Sequence, residues 1–339
     1  MGIDLSDLVE PRPSALKDFK GRAVAIDGYN ALYQFLSSIR QADGTPLMDS
    51  KGRITSHLSG TFHRTANLLE AGIRPVYVFD GKPNPLKAGT LQDRRQRKEK
   101  AQAEWDEALE AGDTETARMK AQQTSRLTKE MAAQAKQLLG YMGVPCVQAE
   151  EDGEAQASYM ASKGEVYAAA SQDYDSLLFG APVLVRNMTL SGRRKLPRKN
   201  VYVDVVPEVL KLGELLGALG ITREQLVDMG VLMGTDFNQG VKGIGPKKAL
   251  KLIREHGSGE AAIREQKLDV PGFENVREIF LSPKTTDDYT LSWGKADRER
   301  ILAMLCGEFE FSEQRLMSTL DKISEGQKAR AQQSLDSWF

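Results

Sequence analysis

The chain predicts an α/β fold, a mostly parallel central sheet flanked by helices, on three observations. Short apolar runs rich in Val, Ala, Ile and Tyr alternate with longer helical stretches, as parallel strands joined by crossovers require. Three runs lead into an aspartate: Ala23-Val24-Ala25-Ile26 before Asp27, Val76-Tyr77-Val78-Phe79 before Asp80, and Val166-Tyr167-Ala168-Ala169-Ala170 ahead of Asp173. Ligands of such sheets gather at the carboxyl ends of strands, which is where these three side chains fall.

Taken in order, the first 80 residues read as strand 22–27, helix 29–40, a helix over about 55–71 and strand 75–80. From about 86 to 140 the β-like runs vanish and Lys, Arg, Glu, Gln and Ala dominate, with a break at Ala111-Gly112-Asp113. That stretch predicts two or three exposed helices projecting from the sheet. Strands resume near 144–148, 166–171, 182–187 and 200–205, with helix 154–163 between the first two. Beyond 207 the chain reads as nearly all helical, and no period of 20–50 residues suggests a solenoid.

At 339 residues and 40% hydrophobic content the chain can bury a real core. Its apolar runs are too short to span a membrane, and no basic-then-apolar signal opens the sequence. Cys146 and Cys306 give neither metal-binding spacing nor a disulfide framework, which suits a reducing cytoplasm. A net charge of −1 excludes a bulk-charge argument for nucleic acid, but the distribution is uneven. Residues 82–100 carry seven Lys/Arg against two acids, 186–199 six against none, and 239–254 five against none. Opposite them stand Glu150, Glu151, Asp152 and Glu154. A basic frame around an acidic pocket suits a phosphate polyanion handled with metal ions.

Each Asp-Gly pair alone would be a turn signal. Together, Asp27, Asp80, Asp152-x-Glu154, Asp173-x-Asp175 and the Asp236 of Gly234-Thr235-Asp236 make seven carboxylates that would repel strongly if gathered. Such a cluster survives by holding divalent cations, and oxygen-only ligands favour magnesium or manganese over zinc. Two metals about 4 Å apart, bridged by carboxylates, carry out phosphodiester hydrolysis. A second signal is Gly240-Val241-Lys242-Gly243-Ile244-Gly245-Pro246-Lys247-Lys248. Gly243 and Gly245 let the backbone turn, Pro246 starts a helix, and the N–H groups there can hold a phosphate beside Lys247 and Lys248. Such a loop reads backbone rather than bases.

These segments resemble the archaeal-type flap endonucleases, structure-specific 5′-nucleases of the XPG type. The likeness runs through Met1-Gly2-Ile3, the three strand-end aspartates, Gly153-Glu154-Ala155-Gln156-Ala157, Gln172 to Gly180, Gly234-Thr235-Asp236 and Gly243 to Lys247. The resemblance implies a PIN-like 5′-nuclease fold with a helical arch and a helix-hairpin-helix-type DNA-binding region. It implies an N-terminal nuclease region at 1–98 and an arch at 99–135. An internal nuclease region at 116–258 would overlap the arch and include the Gly-rich clamp at 239–256. A C-terminal helical region at 259–330 and a tail at 331–339 would follow. The implied activity is magnesium-dependent 5′-flap endonuclease, with 5′-3′ exonuclease activity, in DNA replication (Okazaki fragment processing) and repair.

By the same resemblance Asp27, Asp80, Asp152, Glu154, Asp173, Asp175 and Asp236 form a site for two Mg2+ ions, with Mn2+ able to substitute. Lys87 and Arg94 approach the scissile phosphate. Tyr33 stacks on a base, though its position equally suits a core tyrosine of an amphipathic helix. Arg40 and Arg64 match DNA-contacting positions, as do Gly234 and the Gly243, Gly245, Lys247 and Lys248 loop. The family usually has glutamate where this chain has Asp152, which shortens the reach by one methylene. Gln332, Leu335, Trp338 and Phe339 match a sliding-clamp (PCNA) motif, and two aromatics on a polar tail otherwise have no core to enter. Eukaryotic relatives carry a basic extension that is missing after Phe339, which implies an archaeal cell and a cytoplasmic monomer working on branched 5′-flap DNA, away from membranes.

Two other readings compete. A haloacid-dehalogenase-like phosphatase needs a second aspartate two residues after Asp27, where this chain has Tyr29. A catalytically silent, clamp-bound DNA scaffold gains nothing from anions placed near DNA.

Overall fold

The structure, a computed structural model, describes all residues except 1, 42, 122, 191, 196–201 and 337–339. Strand β1 (Arg12–Pro13) precedes β2 (Ala23–Asp27), α1 (Gly28–Ser38), α2 (Ser56–Glu70) and β3 (Arg74–Phe79). Helices α3 (Ala88–Glu110), α4 (Thr114–Ala121) and α5 (Lys129–Tyr141) lead to β4 (Cys146–Gln148), α6 (Gly153–Ser162), β5 (Ala168–Ala170), α7 (Asp175–Leu178) and β6 (Val183–Arg186). Next come β7 (Gly192–Lys195), β8 (Tyr202–Val205), β9 (Glu208–Lys211), α8 (Leu212–Leu219) and α9 (Arg223–Met233). The chain continues through α10 (Pro246–His256), α11 (Gly259–Gln266), α12 (Phe273–Leu281), α13 (Arg298–Leu302) and α14 (Glu313–Asp336).

The sheet runs β1-β9-β6-β5-β2-β3-β4, parallel from β6 to β4 and antiparallel where β9 joins β6 and β1 joins β9. Strand period explains its two faces. Val24, Ile26, Tyr77, Phe79, Ala168 and Ala170 enter one core with α1, α2, α5 and the last helices. Ala23, Ala25, Val76, Val78 and Ala169 face the other way, onto Ala157, Met160 and Ala161 of α6. A further cluster joins α7, α9, α10 and α12. Residues 283–297, without helix or strand, form a strap over the α6 face, where Tyr289, Leu291 and Trp293 pack. The Trp293 indole N–H donates to the Pro75 carbonyl at 2.8 Å, and the Arg74 guanidinium lies 3.9 Å from the ring centre. Among the described residues no helix is long and apolar enough to cross a membrane.

The α/β architecture is as expected, with four local departures. Tyr202–Val205 does not extend the main sheet but pairs antiparallel with β7 as a separate ribbon. The expected all-helical stretch beyond 207 begins with β9, because pairing with β6 overrides a Glu-Val-Leu-Lys run whose local preference is weak. The third helix of 86–140 does not project: α5 buries Ala132, Ala135, Leu138 and Leu139 in the main core. The arch hairpin is α3 and α4, seamed by buried Ala101, Ala108, Ala117 and Ala121. A boundary at 98/99 would fall inside α3, which is unbroken, and one at 330 inside α14.

Candidate active site

Six of the seven carboxylates sit at joints between strand and helix, each held by backbone or side-chain donors. Asp27 closes β2 and caps α1, its Oδ1 accepting from the Asn30 N–H at 2.9 Å. Asp80 follows β3 and accepts from the Gly153 N–H at 2.7 Å, tying that strand end to α6. Asp152 is the cap of α6, with Oδ1 accepting from the N–H groups of Glu154 (2.8 Å) and Ala155 (3.0 Å). Glu154, the second residue of α6, accepts from the Ser176 N–H (3.1 Å) and hydroxyl (2.5 Å). Asp175 opens α7 and accepts from the Ile3 N–H at 2.7 Å, and the Asn30 amide donates to Asp173 at 3.4 Å. Asp236 arrives from beyond α9 through Gly234, whose φ of +99° and closeness to the Gln239 carbonyl exclude a side chain.

Electrostatics show that these groups share one space. Burial, then the charges of Asp80, Asp152 and Asp173, raises Asp27 well above the carboxylate range. Burial and Asp152 push Asp80 up to about 6, against the pull of Lys87. Glu154 is raised by burial, Asp175 and Asp173; Asp175 is pushed up to about 7 by burial and Asp173. Asp173 is raised by burial and Asp236. Asp236 alone goes down: burial opposes this, but Arg94 and other positive neighbours outweigh it.

Two cations of the arch base lie across this cluster. The Lys87 ammonium is 2.6 Å from Asp152 Oδ2, and burial, which would lower its pKa, loses to Asp152, so the pKa rises. One Arg94 nitrogen donates to both oxygens of Asp236, at 2.7 and 2.6 Å, while the Thr90 hydroxyl donates to the Asp236 carbonyl at 2.8 Å. The donor set fits a hard divalent cation, since it offers only oxygen and its charges are mutually destabilised without a counterion. Lys87 and Arg94 occupy oxygens of two of the carboxylates, Asp152 and Asp236.

The remaining residues separate by geometry. Tyr33 is 39% exposed, which removes the core reading, and the Lys98 ammonium lies 4.4 Å from its ring centre. Arg40 spends its three nitrogens on the Leu36 and Gly44 carbonyls and the Ser125 hydroxyl, bracing a loop. Arg64 is half-buried on α2. In the Gly-rich loop Gly240 and Gly243 turn through the left-handed region, at φ +63° and +82°; Gly245 is extended and serves as the bare cap of α10, correcting the expectation that Gly243 and Gly245 both turn. Lys247 and Lys248 are exposed beside it, Lys247 3.6 Å from Asp7. Gln332 and Leu335 fall within α14, so the tail does not lie wholly beyond the last helix, and Trp338 and Phe339 lie outside the described residues.

Sequence reasoning passed over Asn30, Thr90, Ser176 and the Ile3 N–H. Ser176 follows Asp175 directly and Asn30 stands three after Asp27, a capping distance, so both left a signal. The Ile3 contact joins residues 172 apart, and although Met1-Gly2-Ile3 carries part of the family likeness, no local pattern ties it to Asp175.

The XPG N-terminal domain description matches residues 1–101, and the XPG I-region matches 143–236. Flap endonuclease 1 of Pyrococcus abyssi is 52% identical over 340 residues, covering 100% of this chain and 98% of that protein. The structure of flap endonuclease-1 from Methanococcus jannaschii superposes with a TM-score of 0.77 at 42% identity, over 98% of this chain and 100% of that one. The catalytic core of Rad2 in complex with DNA substrate shares the fold, with a TM-score of 0.67 at 24% identity over 92% and 96% of the two chains.

Proposed function

The chain belongs to the flap endonuclease family and is a 5′-flap endonuclease, a hydrolase of phosphodiester bonds, and from this we propose which of its residues do the work. The seven carboxylates hold divalent ions, with Mg2+ the ion used and two bound per site. The observation that carries this is the convergence of strand-end carboxylates under Lys87, just ahead of α3, and Arg94 in its second turn. When bound, two such ions supply Lewis acidity to the phosphate oxygens and lower the pKa of the attacking water.

The protein's own groups orient and neutralise. Without substrate, Lys87 and Arg94 neutralise Asp152 and Asp236. An entering phosphate competes for the same two cations and gains charge stabilisation that grows in the transition state. Tyr33 offers a ring face to a base, and the Gly243–Lys248 loop holds duplex phosphates without reading sequence. We place the work of the enzyme in replication and repair, as a cytoplasmic monomer with both cysteines free, on branched DNA and with 5′-3′ exonuclease activity. Cleavage of end-labelled flap, nicked, gapped and bubble DNA, with magnesium or with chelator, tests the assignment. Cutting that persists in chelator would refute the metal site.

Charge reversal of Lys247 and Lys248 to Glu should weaken binding to duplex DNA of any sequence. The slope of log K against log salt should fall by roughly 0.9 for each phosphate that the loop no longer neutralises. An unchanged slope would make the loop a connector only. Deleting Gln332 through Phe339 should leave intrinsic cleavage at the wild-type rate while removing stimulation by the sliding clamp. Stimulation surviving the deletion would exclude the tail as the tether.

A further inference from the structure

A line of three neutral polar side chains ends on Asp173. Asn30 and Gln34 lie one turn apart on α1, on the helix face that Asp27 opens. Thr189 stands in the turn after β6, just ahead of the β7–β8 ribbon, and is only 5% exposed. The Thr189 hydroxyl donates to Gln34 Oε1 at 3.0 Å. The Gln34 amide then donates to Asn30 Oδ1 at 2.7 Å, and the Asn30 amide donates to Asp173 Oδ2 at 3.4 Å.

This line has a direction. An ionised carboxylate can only accept, so Asp173 needs an N–H from Asn30. An amide turned over would present its oxygen instead and repel the carboxylate. Asn30 is kept from turning because its oxygen is taken by the Gln34 N–H, and Gln34 because its oxygen is taken by the hydroxyl. The two inner bonds are short and the outer one is long, so the line aims the Asn30 donor without dragging the carboxylate. All three side chains, with Asp27, Ser171 and Gln172, line a cavity of about 10 Å3. That is roughly the room of one water, which leaves the amides no space to swing. From the other side the Asp173 N–H donates to the Ser171 hydroxyl at 3.2 Å, which fixes the backbone.

We infer that Asn30, Gln34 and Thr189 are positioning residues that hold one oxygen of Asp173 in the orientation required to bind a divalent ion. The inference rests on the reading of Asp173 as a metal ligand and adds the groups behind it. Outer partners that orient a ligating side chain commonly carry roughly 10–100-fold in metal affinity or activity. A positioning role makes two demands that packing does not. The effect must reach metal affinity in the absence of DNA, and it must pass through Asn30.

Calorimetric titration of the DNA-free protein with Mn2+ and single-turnover cleavage of flap DNA in magnesium test this together. Asn30→Ala should weaken Mn2+ binding and slow cleavage, each about tenfold. Thr189→Val keeps the shape and removes the hydroxyl, and should lower both several-fold; Thr189→Ser should restore them. Adding Thr189→Val to Asn30→Ala should change neither quantity further, because the line already lacks its last link. Effects that multiply in the double variant would overturn the line. So would wild-type Mn2+ affinity and rate in both single variants, even with a lowered melting temperature, since the three would then only brace α1. Either result leaves Asp173 a ligand. Wild-type Mn2+ affinity and cleavage in Asp173→Asn would instead overturn the ligand reading on which the line depends.

Discussion

Asp173→Asn is expected to lower flap cleavage by about a thousandfold or more while leaving DNA binding intact or tighter. The substitution removes a charged ligand from the proposed metal site yet keeps the shape, and Asn can still accept from Asn30, which lies 3.4 Å away. One fewer anion beside the incoming phosphate also relieves repulsion. A second readout separates this from a folding defect. Asp173 titrates above its unfolded value because burial and Asp236 disfavour its charge. A raised carboxylate pKa costs stability at pH values above it, and that cost disappears as pH falls through it. Neutralising the group should therefore leave the melting temperature in chelator at or above that of wild type. Near-wild-type cleavage would remove Asp173 from the site, and a fall in melting temperature would point to a structural role instead.

Lys87→Ala is expected to reduce the single-turnover rate by about a hundredfold or more through loss of charge stabilisation at the phosphate. Its effect on stability should have the opposite sign to that of Asp173→Asn. Lys87 is the partner of Asp152 and also lowers the pKa of Asp80, so its removal leaves two neighbouring carboxylates without their counterion. Breaking a largely buried pair by deleting one member costs about 1–3 kcal/mol once partial exposure is allowed for. The melting temperature should drop in chelator and recover in excess magnesium, because the ions replace the lost ammonium. A drop of equal size under both conditions would mean that Lys87 and the metal do not share these carboxylates.

Much of this site was legible because it is written in strand period and strand ends. Asp27, Asp80 and Asp173 each follow an apolar run, and the parallel topology then brings them together without further information. Asp152 was harder. Its shorter reach was visible, but its work as the cap of α6 and partner of Lys87 depends on contacts made only on folding. At a cap, aspartate is favoured over glutamate, which gives the departure from the family pattern a physical reason of its own. The buried residues of α5 recur at helical spacing, so the helix was predictable, but spacing alone does not say whether a helix covers the sheet or stands away from it. By contrast, α3 has no apolar stripe over 23 residues, and that is why its exposure could be anticipated. β9 was hidden because a four-residue strand is defined by its neighbours, here β6 and β1.

The strap at 283–297 bears on how the protein is made. Ribosomes deliver a chain from its amino end at roughly 5–20 residues per second, and Trp293 follows its partner Pro75 by 218 residues. The interval between the two is thus roughly 10–40 s. Throughout it, the α6 face built on Ala25, Val76 and Val78 must wait for Tyr289, Leu291 and Trp293 to emerge. A chain halted before residue 283 would leave that apolar face without its cover, the kind of surface that chaperones bind and proteases find.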